Sequence, residues 1–159
     1  MTLGMTLETF TRLHVVISLI GIASGLIVVF GMMSGVRRAG STTLFLWTTG
    51  LTSVTGFGFP VEHLLPSHKV GIISLIVLAV VFVARSRAHS GSWRWIYVIG
   101  SVLALYLNVF VLVVQAFQKV AFLAALAPTQ SELPFQLVQL AVLALFLWLA
   151  VGAVRRFPG

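Results

Sequence analysis

Five long apolar stretches, separated by short polar segments, dominate the chain. A helix needs about 20 predominantly apolar residues to cross the roughly 30 Å hydrocarbon core of a bilayer, and each stretch meets or approaches that length. The pattern therefore predicts an all-α integral membrane protein that forms one domain over residues 1–159, a bundle of five transmembrane helices. The predicted spans are residues 13–33, 42–65, 68–84, 95–118 and 134–154.

Composition supports a membrane protein and excludes two other classes. Hydrophobic residues make up 59% of the chain and charged residues only 8%, whereas a soluble domain carries about 25% charged residues and a disordered chain combines low hydrophobicity with high charge. There is no cysteine, which excludes disulfides and thiolate metal sites. The net charge of +7 does not indicate a nucleic-acid partner, because the ten basic residues lie between apolar runs.

The distribution of basic residues predicts the orientation. If five helices alternate, one end of the bundle carries seven of the ten: Arg37, Arg38, Arg85, Arg87, Arg94, Arg155 and Arg156. All three acids fall at the other end, together with three basic residues. The positive-inside rule then predicts an N-terminus outside and a C-terminus in the cytoplasm. We also expect the basic face to attract anionic lipids, and the compact chain without a targeting presequence favours a bacterial inner membrane.

Small and polar residues within the spans predict helix contacts. Helices in a bilayer associate through small residues and interhelical hydrogen bonds, and Gly21 and Gly25 form a small-xxx-small element. Asn108 lies near the middle of the fourth span, where an unpaired amide is costly, so we expect it to face a partner helix. The second span is rich in hydroxyls, which we interpret as packing contacts or, alternatively, as the lining of a pathway.

The segment between the second and third spans predicts a cavity. Gly56 and Gly58 weaken a helix, and Pro60 both lacks a donor and clashes with the carbonyl four residues earlier. The second helix should therefore kink or break between Gly56 and Pro60. Pro66 then turns the chain, with Ser67 as the N-cap of the third span. Irregular backbone survives in hydrocarbon only beside protein or a water-filled cavity, so we expect a cavity on the extracytoplasmic side.

Polar side chains from all five spans gather at that same end. The candidate ligand-binding set combines imidazoles, a carboxylate, an amide, an ammonium and two aromatic rings: His14, Phe57, Phe59, Glu62, His63, His68, Gln115 and Lys119. Ionisable groups near a membrane are functional candidates by default, although solvated or mutually paired helix ends explain the same residues. His89, in the loop after the third span, is interpreted as an ordinary solvated residue.

Three kinds of ligand fit these residue types. A quinone, a lipid or a small substrate would bond to a histidine or Glu62 and pack on the phenylalanines. His14, Glu62, His63 and His68 offer the imidazole and carboxylate ligands that a transition metal takes. His14 and His68 stand at similar depths on different helices, as the axial ligands of a haem b would. The absence of any cofactor is an equal alternative.

Three function classes therefore remain open. The first is a membrane module that binds a ligand or cofactor, the second is a non-catalytic accessory or assembly subunit of a larger complex, and the third is a small oligomeric transporter or channel. A homo-oligomer is compatible with each. Catalysis is less favoured, because the chain has no aspartate and no convincing set of nucleophile, base and orienting group. The odd number of spans weakens the transporter alternative.

Overall fold

A computed structural model describes residues 3–87 and 90–158, and these residues form helices and no strand. The six helices are α1 Leu7–Met33, α2 Ala39–Gly56, α3 Pro66–Ser86, α4 Ser92–Lys119, α5 Ala121–Leu126 and α6 Leu133–Arg156. The prediction of an all-α protein is therefore confirmed. His89, which the sequence predicts to be solvated, lies outside the described residues.

Four helices, namely α1, α3, α4 and α6, are long and apolar enough to cross a membrane. The helix α2 is not among them, because serines and threonines lower its mean hydropathy. Its 18 residues nevertheless extend about 27 Å at 1.5 Å per residue. The residues that the structure describes thus contain four apolar candidate spans, and a fifth crossing through α2 stays a prediction.

The helix that was predicted to break does end inside the glycine-rich segment. It stops at Gly56 rather than at residue 65, and residues 57–65 contain no helix. The prediction that Ser67 is the N-cap of α3 was wrong. Pro66 is the first helical residue, so Ser67 lies inside the helix, and the imidazole Nδ1 of His68 instead accepts the backbone N–H of Leu65 at 3.0 Å.

The first helix is longer than predicted, and the short helix α5 was not predicted. Because the side chain of Thr6 accepts the backbone N–H of Thr9 at 3.3 Å, it caps α1 and lets the helix begin at Leu7 instead of residue 13. The helix α5 follows α4 after a single non-helical residue, Val120. Its six residues, fewer than two turns, are too short to show an apolar period in the sequence.

The predicted small-residue contacts are confirmed on α1. A Cβ atom built on Gly21 would lie 3.2 Å from the Oγ1 of Thr48, and one built on Gly25 would lie 2.7 Å from the Cδ1 of Leu105 and 2.8 Å from the ring of Phe45. These two glycines therefore let α1 approach both α2 and α4 more closely than any larger residue allows.

Polar side chains inside the bundle join helices as predicted. The side-chain N–H of Asn108 donates to the Oγ1 of Thr49 at 3.1 Å, which connects α4 with α2. Thr43 and Thr55 donate their hydroxyl hydrogens to carbonyls of α2 four residues earlier, and their oxygens accept bonds from Arg85 on α3 and His14 on α1. The hydroxyls of α2 thus satisfy their own helix first and a neighbouring helix second.

The five long helices alternate in direction, which gives the bundle two distinct ends. One small cavity is lined by residues from the end of α1, the start of α2, the end of α3, the start of α4 and the segment after α6. We call this end, which carries the seven arginines named above, the basic end. The opposite end, where α1 and α3 begin and α2 and α4 finish, is the histidine end.

Replacing Gly25 by alanine should destabilise the protein by about 1–3 kcal/mol, because the added methyl group overlaps Leu105 and Phe45. Gly50 is the matched control, since a Cβ there finds its nearest neighbour at 4.0 Å and alanine favours a helix by roughly 0.5–1 kcal/mol. Unfolding titrations of the two variants in the same detergent would measure the difference. Equal stabilities for Gly25→Ala and Gly50→Ala would contradict the tight contact of α1.

Candidate functional site

A cavity of about 570 Å³ lies among α1, α2, α3 and α4 at the histidine end. This volume falls within the range of about 300–1,000 Å³ that is common for small-molecule sites. The wall is mostly apolar, and its polar members are Thr11, His14, Ser18, Thr52, Ser53, Ser67, His68, Ser74, Asn108, Gln115 and Lys119. Such a mixture suits a ligand with a large apolar body and a small polar head.

Most of the predicted ligand-binding residues meet in this wall, but two do not. Those that line the cavity are His14, Phe57, Phe59, His68, Gln115 and Lys119. Glu62 and His63 are exposed in the segment between α2 and α3 and are absent from the wall. The expectation of a wall lined by both histidine and glutamate is therefore corrected: along the described chain the cavity has imidazoles and an ammonium, and no carboxylate.

The segment after α2 folds back over the starts of α1 and α3. The ring of Phe59 packs edge-on against Phe10 at 5.0 Å and against the imidazole of His14 at 5.1 Å, measured between ring centroids. The ring of Phe57 lies 5.4 Å from the imidazole of His68, with an angle of 33° between the two ring planes. Gly58 permits this fold, because a Cβ there would lie only 2.8 Å from the ring of Phe10. The break in α2 thus places both phenylalanines beside the two histidines.

The hydrogen bond between His14 and Thr55 determines which nitrogen of His14 carries the proton. The Nδ1 of His14 lies 2.8 Å from the Oγ1 of Thr55. The hydroxyl of Thr55 donates its single hydrogen to the carbonyl of Leu51 at 2.7 Å, so its oxygen accepts from His14. Neutral His14 therefore carries its proton on Nδ1 and keeps Nε2 as an acceptor.

The buried His68 has the opposite arrangement. Only 5% of its surface is exposed, and its Nδ1 accepts the backbone N–H of Leu65. Neutral His68 therefore carries its proton on Nε2, which is a donor. The two imidazoles of the cavity wall thus differ in function: His14 offers an acceptor, and His68 offers a donor.

This arrangement does not favour the predicted metal or haem sites. Coordination needs a free lone pair on an imidazole nitrogen, but in His68 the Nδ1 lone pair is engaged by Leu65 and Nε2 carries the proton. Among residues 3–87 and 90–158, no three His, Cys, Asp or Glu side chains are grouped so that they could hold a metal ion. The predicted set of His14, Glu62, His63 and His68 is therefore not assembled there.

The cavity wall carries a single charged side chain, that of Lys119 at the end of α4, as far as the described residues show. The ion pair between Arg12 and Glu8 joins two exposed side chains of α1 and does not include Lys119. The ammonium of Lys119 therefore has no carboxylate partner within the described structure, and an oxygen acceptor on a ligand would complement it.

Two partners that define the site were not predicted from the sequence. Thr55, which sets the proton of His14, is separated from it by 41 residues, and the sequence marks it only as one hydroxyl among several on α2. Leu65 contributes through its backbone N–H, for which no side-chain pattern exists. Comparisons of the chain with protein-family models, with curated proteins and with solved structures found no match.

Glu132, an acid of the histidine end, stabilises a turn instead of the cavity. Its Oε1 accepts the hydroxyl of Thr129 at 2.8 Å and the backbone N–H of Thr129 at 3.1 Å, and its Oε2 accepts the N–H of Ser131 at 3.1 Å. These bonds, chiefly the one from the Thr129 hydroxyl, hold the pKa of the Glu132 carboxyl below its ordinary value. The carboxylate thus fixes the chain just before α6.

Acid should remove this contribution of Glu132. A group whose pKa is lowered by folding stabilises the protein above its unfolded pKa and loses that effect as the pH falls through the folded pKa. We expect wild type to be more stable than Glu132→Gln at neutral pH. This difference in stability should shrink as the pH falls from 4.5 downward. Thermal unfolding of both proteins across this range would measure it. The background Thr129→Val should narrow the gap, and a gap independent of pH would contradict the assignment.

Proposed function

We propose that this protein is a five-span protein of the bacterial inner membrane whose extracytoplasmic cavity binds an amphipathic ligand. The ligand has an apolar body and a head with carbonyl or hydroxyl oxygens, as a quinone or a lipid of similar shape has. The chain acts as a binding module, and we assign it no catalytic residue. The main observation that supports this proposal is the pair of imidazoles in the wall of one mostly apolar cavity, one an acceptor and the other a donor.

The exposed face of α2 supports a fifth crossing. Leu44, Trp47, Leu51 and Val54 recur on one side of this helix and are all exposed, as side chains that contact lipid would be. The opposite side buries Thr42, Thr48, Thr49 and Ser53 inside the bundle. Four of the polar residues that lower the mean hydropathy of α2 therefore face protein, and this pattern is compatible with a helix in a bilayer.

The separation of charges supports the proposed orientation. The basic end carries seven arginines and no acid, whereas the histidine end carries Arg12, Lys69, Lys119 and all three glutamates. Positive residues near span ends are retained in the cytoplasm. The basic end is then cytoplasmic, and the cavity opens toward the outside.

Cysteine labelling tests both the fifth crossing and the orientation, because the chain has no cysteine of its own. Ser34 precedes α2 and Val61 follows it, and both are exposed. In spheroplasts, a membrane-impermeant maleimide should label Val61→Cys, and should label Ser34→Cys only after permeabilisation. Labelling of both from one side would show that α2 does not cross, and the reverse pattern would show an inverted orientation.

The donors in the cavity favour a quinone head over a purely apolar ligand. The Nε2–H of His68 and the ammonium of Lys119 are both hydrogen-bond donors, and the two carbonyl oxygens of a quinone can accept bonds from them. The Nε2 of His14 accepts a hydroxyl, which the reduced form of a quinone supplies. Phe57 and Phe59 offer flat apolar surfaces for the ring.

Titration with decylubiquinone tests this ligand class. A ligand that binds only the folded protein raises its melting temperature by mass action, so we expect decylubiquinone to stabilise the wild-type protein in detergent. Lys119→Met removes one charged donor and should weaken binding about tenfold. The matched control is Lys69→Met, because Lys69 is an exposed lysine of the same end that does not line the cavity.

The comparison of the two lysine variants decides the outcome. Retained binding in Lys69→Met together with a loss in Lys119→Met supports a ligand inside the cavity. Equal binding by both variants, or no stabilisation of the wild-type protein, overturns the quinone assignment. Stabilisation by a short-chain phospholipid in place of the quinone, with the same dependence on Lys119, would identify a lipid as the ligand.

A further inference from the structure

A second cavity, of about 220 Å³, lies at the basic end of the bundle. Three arginines, Arg37, Arg38 and Arg85, contribute to its wall together with Thr42, Tyr97 and Phe157. They come from the connection between α1 and α2, from α2 itself, from α3, from α4 and from the segment after α6. Nearly every long helix therefore contributes to one small basic pocket, which is separate from the larger cavity at the other end.

Within residues 3–87 and 90–158, no carboxylate pairs with the three guanidinium groups. The single ion pair of the described residues joins Arg12 and Glu8 on α1. The guanidinium of Arg85 donates to the carbonyl of Ala39 at 3.2 Å and to the Oγ1 of Thr43 at 2.8 Å. Arg37 donates to the carbonyl of Pro158 at 3.3 Å and lies over the ring of Phe157 at 5.7 Å. Neutral groups thus fix two of the arginines in place without cancelling their charge.

Many donors remain for an anion in this pocket. Each guanidinium carries five N–H donors in a planar fork, and the bonds of Arg37 and Arg85 to protein use only a minority of them. The buried floor is polar as well, since Thr42 and Tyr97 are each 3% exposed and the Tyr97 hydroxyl donates to the Oγ1 of Thr42 at 3.5 Å. The pocket therefore combines positive charge, fixed geometry and a polar floor.

We propose that this pocket is a binding site for the phosphate group of an anionic mono- or diester, that is, one whose phosphate charge is not balanced by an ammonium group of the same molecule. Guanidinium forks bind phosphate oxygens with two parallel hydrogen bonds, so they suit this anion better than a single point charge does. In a membrane the most abundant carriers of such a group near a basic rim are anionic phospholipid headgroups, and basic pockets between helices bind them. A soluble phosphate ester has the same chemistry. The proposal does not depend on the ligand of the larger cavity.

Defined probes separate the lipid from the soluble source. The full chain in detergent is titrated with dioctanoyl phosphatidylglycerol, with glycerol phosphate and with zwitterionic dioctanoyl phosphatidylcholine, and the thermal shift and native mass spectrum are recorded. Stabilisation by phosphatidylglycerol alone supports a lipid headgroup as the occupant, and stabilisation by glycerol phosphate as well supports a phosphate ester in either form. Equal effects of phosphatidylglycerol and phosphatidylcholine, or no effect of any phosphate probe, overturn the proposal.

Paired arginine variants test whether the arginines of the pocket wall bind the phosphate probe. Arg37→Gln combined with Arg38→Gln should weaken binding of the phosphate probe by about tenfold or more. The matched control combines Arg87→Gln with Arg155→Gln, which removes the same charge from exposed residues at the same end but outside the pocket wall. This control should bind within about twofold of wild type, because attraction by distant exposed charges is largely screened by salt.

The charge-preserving variant makes the result interpretable even if the glutamine variant does not fold. Arg37→Lys combined with Arg38→Lys keeps both charges but loses the planar forks, so we expect clearly weaker binding of the probe than in wild type. Undiminished binding in this lysine variant would overturn recognition by the guanidinium forks. Equal losses in the pocket variant and in the Arg87 and Arg155 control would show that net charge alone attracts the phosphate, which also overturns the proposal.

Discussion

The hydrogen bonds that polar groups find inside this apolar bundle determine most of its detailed structure. A polar group without water must be satisfied by protein, and the helix α2 meets this requirement by donating its hydroxyls to its own backbone. The same requirement pairs Asn108 with Thr49 and closes the first turn of α3 through His68. At Thr55 the hydroxyl oxygen also accepts a bond from His14 on another helix.

The two cavities differ because the two ends of the bundle carry different charges. At the histidine end the imidazoles are fixed by Thr55 and Leu65, and one ammonium completes the polar part of the wall. That environment suits a nearly neutral ligand with oxygen acceptors. At the basic end the arginines are held by carbonyls, a hydroxyl and an aromatic ring, none of which cancels charge. An anion would therefore complement that end, and the two cavities of the chain are chemically distinct.

Apolar periodicity and residue size were sufficient to predict the helical class, the tight contacts of Gly21 and Gly25 and the inward position of Asn108, since each follows from local chemistry in an apolar solvent. The site was predicted less well. Glu62 and His63 are close to His68 in sequence, but the non-helical segment carries them to the surface while α3 buries His68. Serine is a common N-cap residue, but Ser67 is not the N-cap here. Pro66 starts the helix, and the imidazole of His68 accepts the Leu65 N–H. Such outcomes depend on three-dimensional neighbours that no local pattern contains.

The fold determines which nitrogen of each imidazole in the cavity wall carries the proton. Thr55 can only accept from His14, because its one hydrogen is used by α2, and the N–H of Leu65 can only donate to His68. Neither histidine can exchange tautomers without breaking its hydrogen bond to Thr55 or to the Leu65 N–H, so each bond fixes the position of one imidazole proton. A ligand that offers an acceptor to the buried His68 would then be favoured over one that offers a donor, because an unmatched buried polar group costs about 1–3 kcal/mol. The proposed ligand would thus be selected by hydrogen-bond polarity as well as by shape.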